Sequence, residues 1–188
     1  MKQHITVKFS LLCGLIVLAA FSRMLPHPLN FAPLSAMALF GAAYFDRKAL
    51  ALAIPLVATW LSDLFLNNVI YAAYYPKFTW FYEGLLWSYG AYALIGLMGM
   101  VMLKRITLIR CLGAALSASA IFFLISNFSC WIGNPVYPQN FSGLLACLAA
   151  GLPFLQGTVA GDLVYVSAMF GTYEWMKSKV PALQYAAL

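Results

Sequence analysis

The chain has 188 residues, 64% of them hydrophobic and only 9% charged, with a mean hydropathy of +0.86 and a formal net charge of +6. Soluble domains carry roughly one quarter charged residues, so water is excluded as the main solvent. The eleven Lys and Arg stand in small groups between apolar runs rather than along one stripe, which excludes a nucleic-acid face and leaves membrane topology as their explanation.

A helix needs roughly 20 apolar residues to cross the hydrocarbon. The first such run, Phe9 to Leu25, follows Lys2 and Lys8. A basic start before an apolar run also fits a secretory signal cleaved near Ser22, but the run continues through Met24 and Leu25. The second, Pro33 to Phe45, reaches only about 20 Å, so it either sits where the bilayer is thin or is completed by a loop that dips inward. Ala49 to Leu66, Leu85 to Leu103 and Leu108 to Phe128 follow at full length. Phe141 to Leu152 is cut off by Pro153, and because proline favours a first helical turn it reads as a separate interfacial helix ahead of a last span, Pro153 to Met176. The fold class expected is an all-α membrane protein: one domain over residues 1–188, six transmembrane helices, a short second helix and an extra interfacial helix before the sixth.

The charges orient these spans. Lys2, Lys8, Arg47, Lys48, Lys104, Arg105, Arg110, Lys177 and Lys179 fall on one side, and the other loops hold only Arg23 and Lys77. Positive loops face the cytoplasm, which predicts cytoplasmic termini in a bacterial inner membrane. An even number of spans is then required, which supports counting the short second one. The outer loops have a different chemistry: loop one carries His27 and Asn30, loop three Trp80 and Tyr82 among other rings, loop five Trp131 and Tyr137. Part of this is an aromatic belt at headgroup level. The inner loops nearly lack such rings, so the rest are expected to shield a ligand.

Intramembrane ionisable residues are costly and face a partner or an aqueous cavity. Arg23 lies 15 residues from Lys8, Asp63 lies 15 from Lys48, and Asp162 lies 15 from Lys177. Each is therefore about 22 Å from the inner boundary, and Asn127, 17 residues beyond Arg110, is within a turn of the same depth. Two readings follow: Arg23 pairs with one aspartate and pins helices together, or all four residues floor one outward-facing pocket. The short, proline-bounded second span favours the pocket, since broken spans mark binding sites in transporters.

The stretch Arg23-Met-Leu-Pro-His-Pro-Leu-Asn-Phe-Ala-Pro33 running on to Phe45, with Ser126-Asn-Phe-Ser-Cys-Trp131, Pro153-Phe154, Gly161-Asp162-Leu163 and Phe170-Gly171, resembles an uncharacterised family of small bacterial six-helix membrane proteins. Through size, topology and the pattern of Gly41 and Asp63 around the second helix, it is similar to the substrate-binding (S) components of energy-coupling factor (ECF) transporters. That resemblance implies a vitamin-like ligand bound from outside under the three aromatic loops, and uptake with a transmembrane coupling subunit and ATP-binding subunits. The first helix offers only Ser10 and Gly14 in place of the Ala-xxx-Ala pair expected for such coupling.

No GxxxxGK[ST] loop is present, so ATP use belongs to a partner. Two histidines, His4 and His27, fall at opposite ends and make no multi-histidine metal site, and no cofactor is expected. The four cysteines show no CxxC spacing and read as mostly structural, though His27 or Cys130 could serve a corrinoid as axial ligand. The rivals to a transporter are a non-transporting envelope scaffold and an intramembrane aspartyl protease using Asp63 and Asp162. Against the protease, its Gly-x-Gly-Asp motif is here Val159-Ala-Gly-Asp162.

Overall fold

A computed structural model describes residues 2–184; Met1 and residues 185–188 of the expected domain lie outside the described residues. It is all-helical in those residues: α1 (Lys2–Ser22), α2 (Leu34–Tyr44), α3 (Lys48–Phe65), α4 (Leu85–Met102), α5 (Leu108–Trp131), α6 (Phe141–Lys179) and a short α7 (Pro181–Gln184). Local chemistry sets several of these boundaries. The Thr107 hydroxyl accepts from the Arg110 amide at the start of α5, and the Asn140 side chain accepts from Gly143 at the start of α6. Each satisfies an amide that the first turn leaves without a helical partner. Gly84 supplies the left-handed φ of +82° from which α4 departs.

α3 runs on through a π turn, Leu66–Ile70, and a 3-10 turn, Ala72–Tyr74. Asn68 in the π turn holds loop three in place. Its Nδ2 donates to Leu64 O at 2.8 Å and Thr79 O at 2.9 Å, and its Oδ1 accepts from the Thr79 amide at 2.6 Å.

Four helical segments are long and apolar enough to cross a bilayer: Lys48–Ile70, Leu85–Met102, Leu108–Trp131 and Phe141–Lys179. Their outer faces carry bare aliphatic side chains, such as Leu86, Val101, Ile109 and Leu124, a surface that suits lipid. The short α2 has another reason for its length. Nine of its 11 residues are buried, and it packs on α1, α3, α4, α5 and α6, so it is the axis of the bundle rather than a lipid-facing rod. A helix apolar on every side is stable only when wrapped in this way. Phe40 and Tyr44 close its inner end against Phe170 and Tyr173 of α6, with ring centroids 4.2 to 5.8 Å apart.

The expected interfacial helix does not exist as a separate element. Phe141–Leu152 is the first third of α6, continuous through Pro153. A proline removes one main-chain hydrogen bond and bends the helix, and packing on a neighbouring helix makes that tolerable in an apolar bundle. Here the neighbour is α5, to which the Cys147 thiol donates at the Asn127 carbonyl, 3.4 Å away.

The basic segments gather in the fold. Lys8, Lys104 and Lys177 surround one cavity of about 500 Å³ together with Asp46 and Glu174, and Arg47 lies in the adjoining one with Lys8. Cations from all four basic segments thus meet at one end of the bundle.

Candidate functional site

Arg23, just past α1, points into the bundle. Its Nη1 donates to Asp63 Oδ1 at 2.7 Å and to Ser62 Oγ at 2.6 Å, both on α3. Tyr89 of α4 donates to the other Asp63 oxygen at 2.8 Å, so each carboxylate oxygen has a donor. Asp63 is 6% exposed. The pair and its phenol therefore tie the start of loop one to α3 and α4, with the charge neutralised where it stands. Tyr82, from loop three, stands within electrostatic reach of this group, and burial pushes its hydroxyl above the ordinary phenol range.

Asp162 is elsewhere. It is 1% exposed on α6, and its Oδ2 accepts from Ser119 Oγ of α5 at 2.6 Å, with the Ser35 hydroxyl of α2 near the carboxylate. Among the described residues it forms no ion pair. Arg23 thus serves one aspartate and not the other. Tyr92, buried and stacked on Phe122 at 5.4 Å, stands within electrostatic reach of both.

Asn127 belongs to a third setting. Its Nδ2 donates to Phe123 O at 2.8 Å, while its amide fills the space where a side chain on Gly151 would have to sit. It lines a cavity of about 130 Å³ shared by Asn30 of loop one, Phe122 and Ser126 of α5, and Gly151 and Thr158 of α6. Asn30 holds a positive φ of 59°, a conformation that asparagine tolerates better than most residues. Loop one reaches this depth because α6 is bare there. A Cβ on Gly157 would strike the Leu29 carbonyl oxygen, and one on Gly161 would lie 2.9 Å from the Ala32 nitrogen. Loop one is therefore seated on two glycines of α6.

Equal depth does not make one floor. The structure joins Arg23, Asp63 and Tyr82 at α3 and α4, joins Asn30 and Asn127 at the cavity, and seats Asp162 between α2, α5 and α6. The remaining residues named from sequence hold loops. His27 is exposed and its Nδ1 lies 2.9 Å from the Pro28 carbonyl oxygen. Trp80 stacks on Trp60, whose Nε1 donates back to Trp80 O. Trp131 donates to Pro138 O across loop five, on which Tyr137 is half-buried. Sequence reasoning missed Ser35, Ser62, Tyr89, Ser119 and Thr158. Polar groups inside apolar runs were the available signal, since each needs a partner there.

The family of unknown function DUF6580 matches this sequence over residues 3–183. The chain belongs to that family. No curated protein and no solved structure matches. The DUF6580 match takes in both aspartates, loop one and the α5–α6 cavity, so these features lie inside the family's own extent. It brings no activity with it, and the likeness to S components finds no counterpart in these comparisons.

Proposed function

We propose that this DUF6580 protein is a membrane transport protein that crosses the inner membrane six times, with both termini in the cytoplasm, and receives a small organic ligand from the outer side. The observation that carries this reading is the cavity between loop one, α5 and α6, where Asn30, Ser126, Asn127 and Thr158 meet phenylalanine rings. Few polar groups set among apolar ones is the composition of small-molecule sites. At about 130 Å³ the cavity holds roughly four waters, against 300 Å³ or more for drug-sized ligands. A vitamin-sized ligand therefore requires loop one to lift from Gly157 and Gly161, and a corrinoid is far larger than this conformation admits. The buried Arg23–Asp63 pair acts in this reading as the hinge post of that loop, and the rings of loops three and five as its surround. An ECF-type coupling subunit with ATP-binding subunits remains the proposed energy source.

Mass spectrometry of small molecules released from gently purified protein tests the reading. A single compound enriched over a control membrane protein, and lost with both Asn127→Leu and Thr158→Val in folded material, is the expected result. A reproducible protein partner with no bound compound would replace transport by the scaffold reading.

A further inference from the structure

The end of the bundle where the cations meet holds more room than the Asn127 cavity. Lys8, Lys104, Lys177, Asp46 and Glu174 line a cavity of about 500 Å³, and a second of about 490 Å³ adjoins it, sharing Lys8, Tyr44 and Asp46. Both are within the size range of small-molecule sites. Their charges do not cancel. Asp46 accepts from Lys8 Nζ at 3.1 and 3.3 Å, and Glu174 accepts from the Tyr44 hydroxyl at 2.8 Å and stands 3.7 Å from Lys177 Nζ, so each carboxylate is answered from within. Lys104 in the first cavity and Arg47 in the second form no ion pair among the described residues. Each cavity therefore carries one positive charge without a counter-charge. Their walls differ in kind. Phe9, Leu12, Phe45 and Leu50 line the second cavity, and Phe9 is 42% exposed, so this apolar wall continues onto the outside of the bundle. At the join between the two, the Lys8 side chain is only 14% exposed and is held against Asp46.

We propose that these joined cavities bind one anionic phospholipid, its headgroup phosphate among Lys8, Lys104 and Lys177 and an acyl chain along Phe9, Phe45 and Leu50. The phosphate supplies the counter-charge that the two carboxylates do not, and Arg47 adds to the attraction from the second cavity. A surplus of positive charge opposes the quaternary ammonium of a zwitterionic headgroup, so the site selects lipids of net negative charge. A free phosphate compound meets the same cations but leaves the apolar wall uncovered, whereas an acyl chain gains by covering it. In the orientation proposed above, this end faces the cytoplasmic leaflet, the one that carries anionic lipid. Binding in detergent micelles does not depend on that orientation.

The test is native mass spectrometry of the full chain in detergent micelles, titrated with phosphatidylglycerol, with phosphatidylcholine of the same acyl chains, or with glycerol 3-phosphate. One phosphatidylglycerol per chain should bind at least tenfold more tightly than either of the others. A basic residue near an anionic headgroup is worth about fivefold in affinity, so Lys104→Gln and Arg47→Gln should each weaken phosphatidylglycerol by about that factor and the double variant by about 25-fold. Both residues are exposed and outside any ion pair among the described residues, so melting temperatures should stay unchanged. Lys77→Gln, on loop three, is the control and should bind as the native chain does. Equal binding of the two lipids by the native chain would overturn the proposal without recourse to any variant. Glycerol 3-phosphate binding as tightly as phosphatidylglycerol would replace the lipid by a soluble phosphate compound, and an equal loss at Lys77→Gln would reduce the effect to general attraction. The Asn127 cavity plays no part in this experiment, so its failure and that of the transport reading are separately visible.

Discussion

Asp63 and Asp162 are buried to similar degrees and differ in what answers them, so the same substitution should cost them differently. Asp63 is held by Arg23 at 2.7 Å and by Tyr89 at 2.8 Å. Asp63→Asn leaves a guanidinium without its counter-charge, a loss of about 3 to 5 kcal/mol for a buried pair. Arg23→Gln should lose a similar amount from the other side. The double variant removes both charges and should recover much of the loss, the mark of two residues that act on each other. Asp162 has a hydroxyl partner instead, Ser119 at 2.6 Å. Asparagine can still accept that bond, so Asp162→Asn should cost only about 1 kcal/mol. Thermal unfolding of the four variants in one detergent checks the ranking, and equal losses at the two aspartates would refute it.

Among the elements, α2 and loop one matter most, and both depend on glycines that let backbones touch. A Cβ on Gly41 would lie 2.5 Å from the Ala51 carbonyl oxygen and 2.7 Å from Pro55, both on α3. Neither neighbour can move without shifting a helix. Gly41→Ala should therefore destabilise the fold by about 1 to 3 kcal/mol, the usual cost of overpacking, while Gly171→Ala, with nothing within 4 Å, should be tolerated. Losing stability at both positions, or at neither, in a melting experiment would contradict this packing. At this scale the limits of sequence reading are also clear. The short second helix was legible because length counts residues, and depth, counted in turns from a charged boundary, set Arg23 level with both aspartates but did not say that Asp63 is its partner. Asp162 was read into the same floor because depth carries no bearing around the bundle axis, and α2 fills the place where a shared pocket would be. The continuity of α6 was hidden by Pro153, whose start signal is local, whereas the support from α5 that overrides it is tertiary. The seat of loop one on Gly157 and Gly161 left only two small residues as its trace.

At the scale of the whole molecule, the cations decide orientation, and the fold makes their vote collective. Lys8, Lys104 and Lys177 surround one cavity, and Arg47 lies beside Lys8 in the next, although long stretches of sequence separate them. Only an alternation of helix directions gathers the start of α1, the α2–α3 and α4–α5 turns and the end of α6 in one place. The ends of α5 and α3, with Trp131, Asn68 and loop three, then stand opposite. An impermeant maleimide distinguishes the two ends in intact cells. The background must be Cys130→Ser, because that native thiol is exposed at the end in question. Gln139→Cys in loop five should label from outside, and Lys104→Cys should label only after the membrane is opened. Labelling of both in intact cells, or of neither, would mean that the two turns share a side, and the six-crossing arrangement would fall. The reverse pattern would keep the crossings and invert the protein, placing the Asn30–Asn127 cavity toward the cytoplasm. Uptake from outside by this route would then be excluded, because the loop that covers the cavity would open to the wrong compartment.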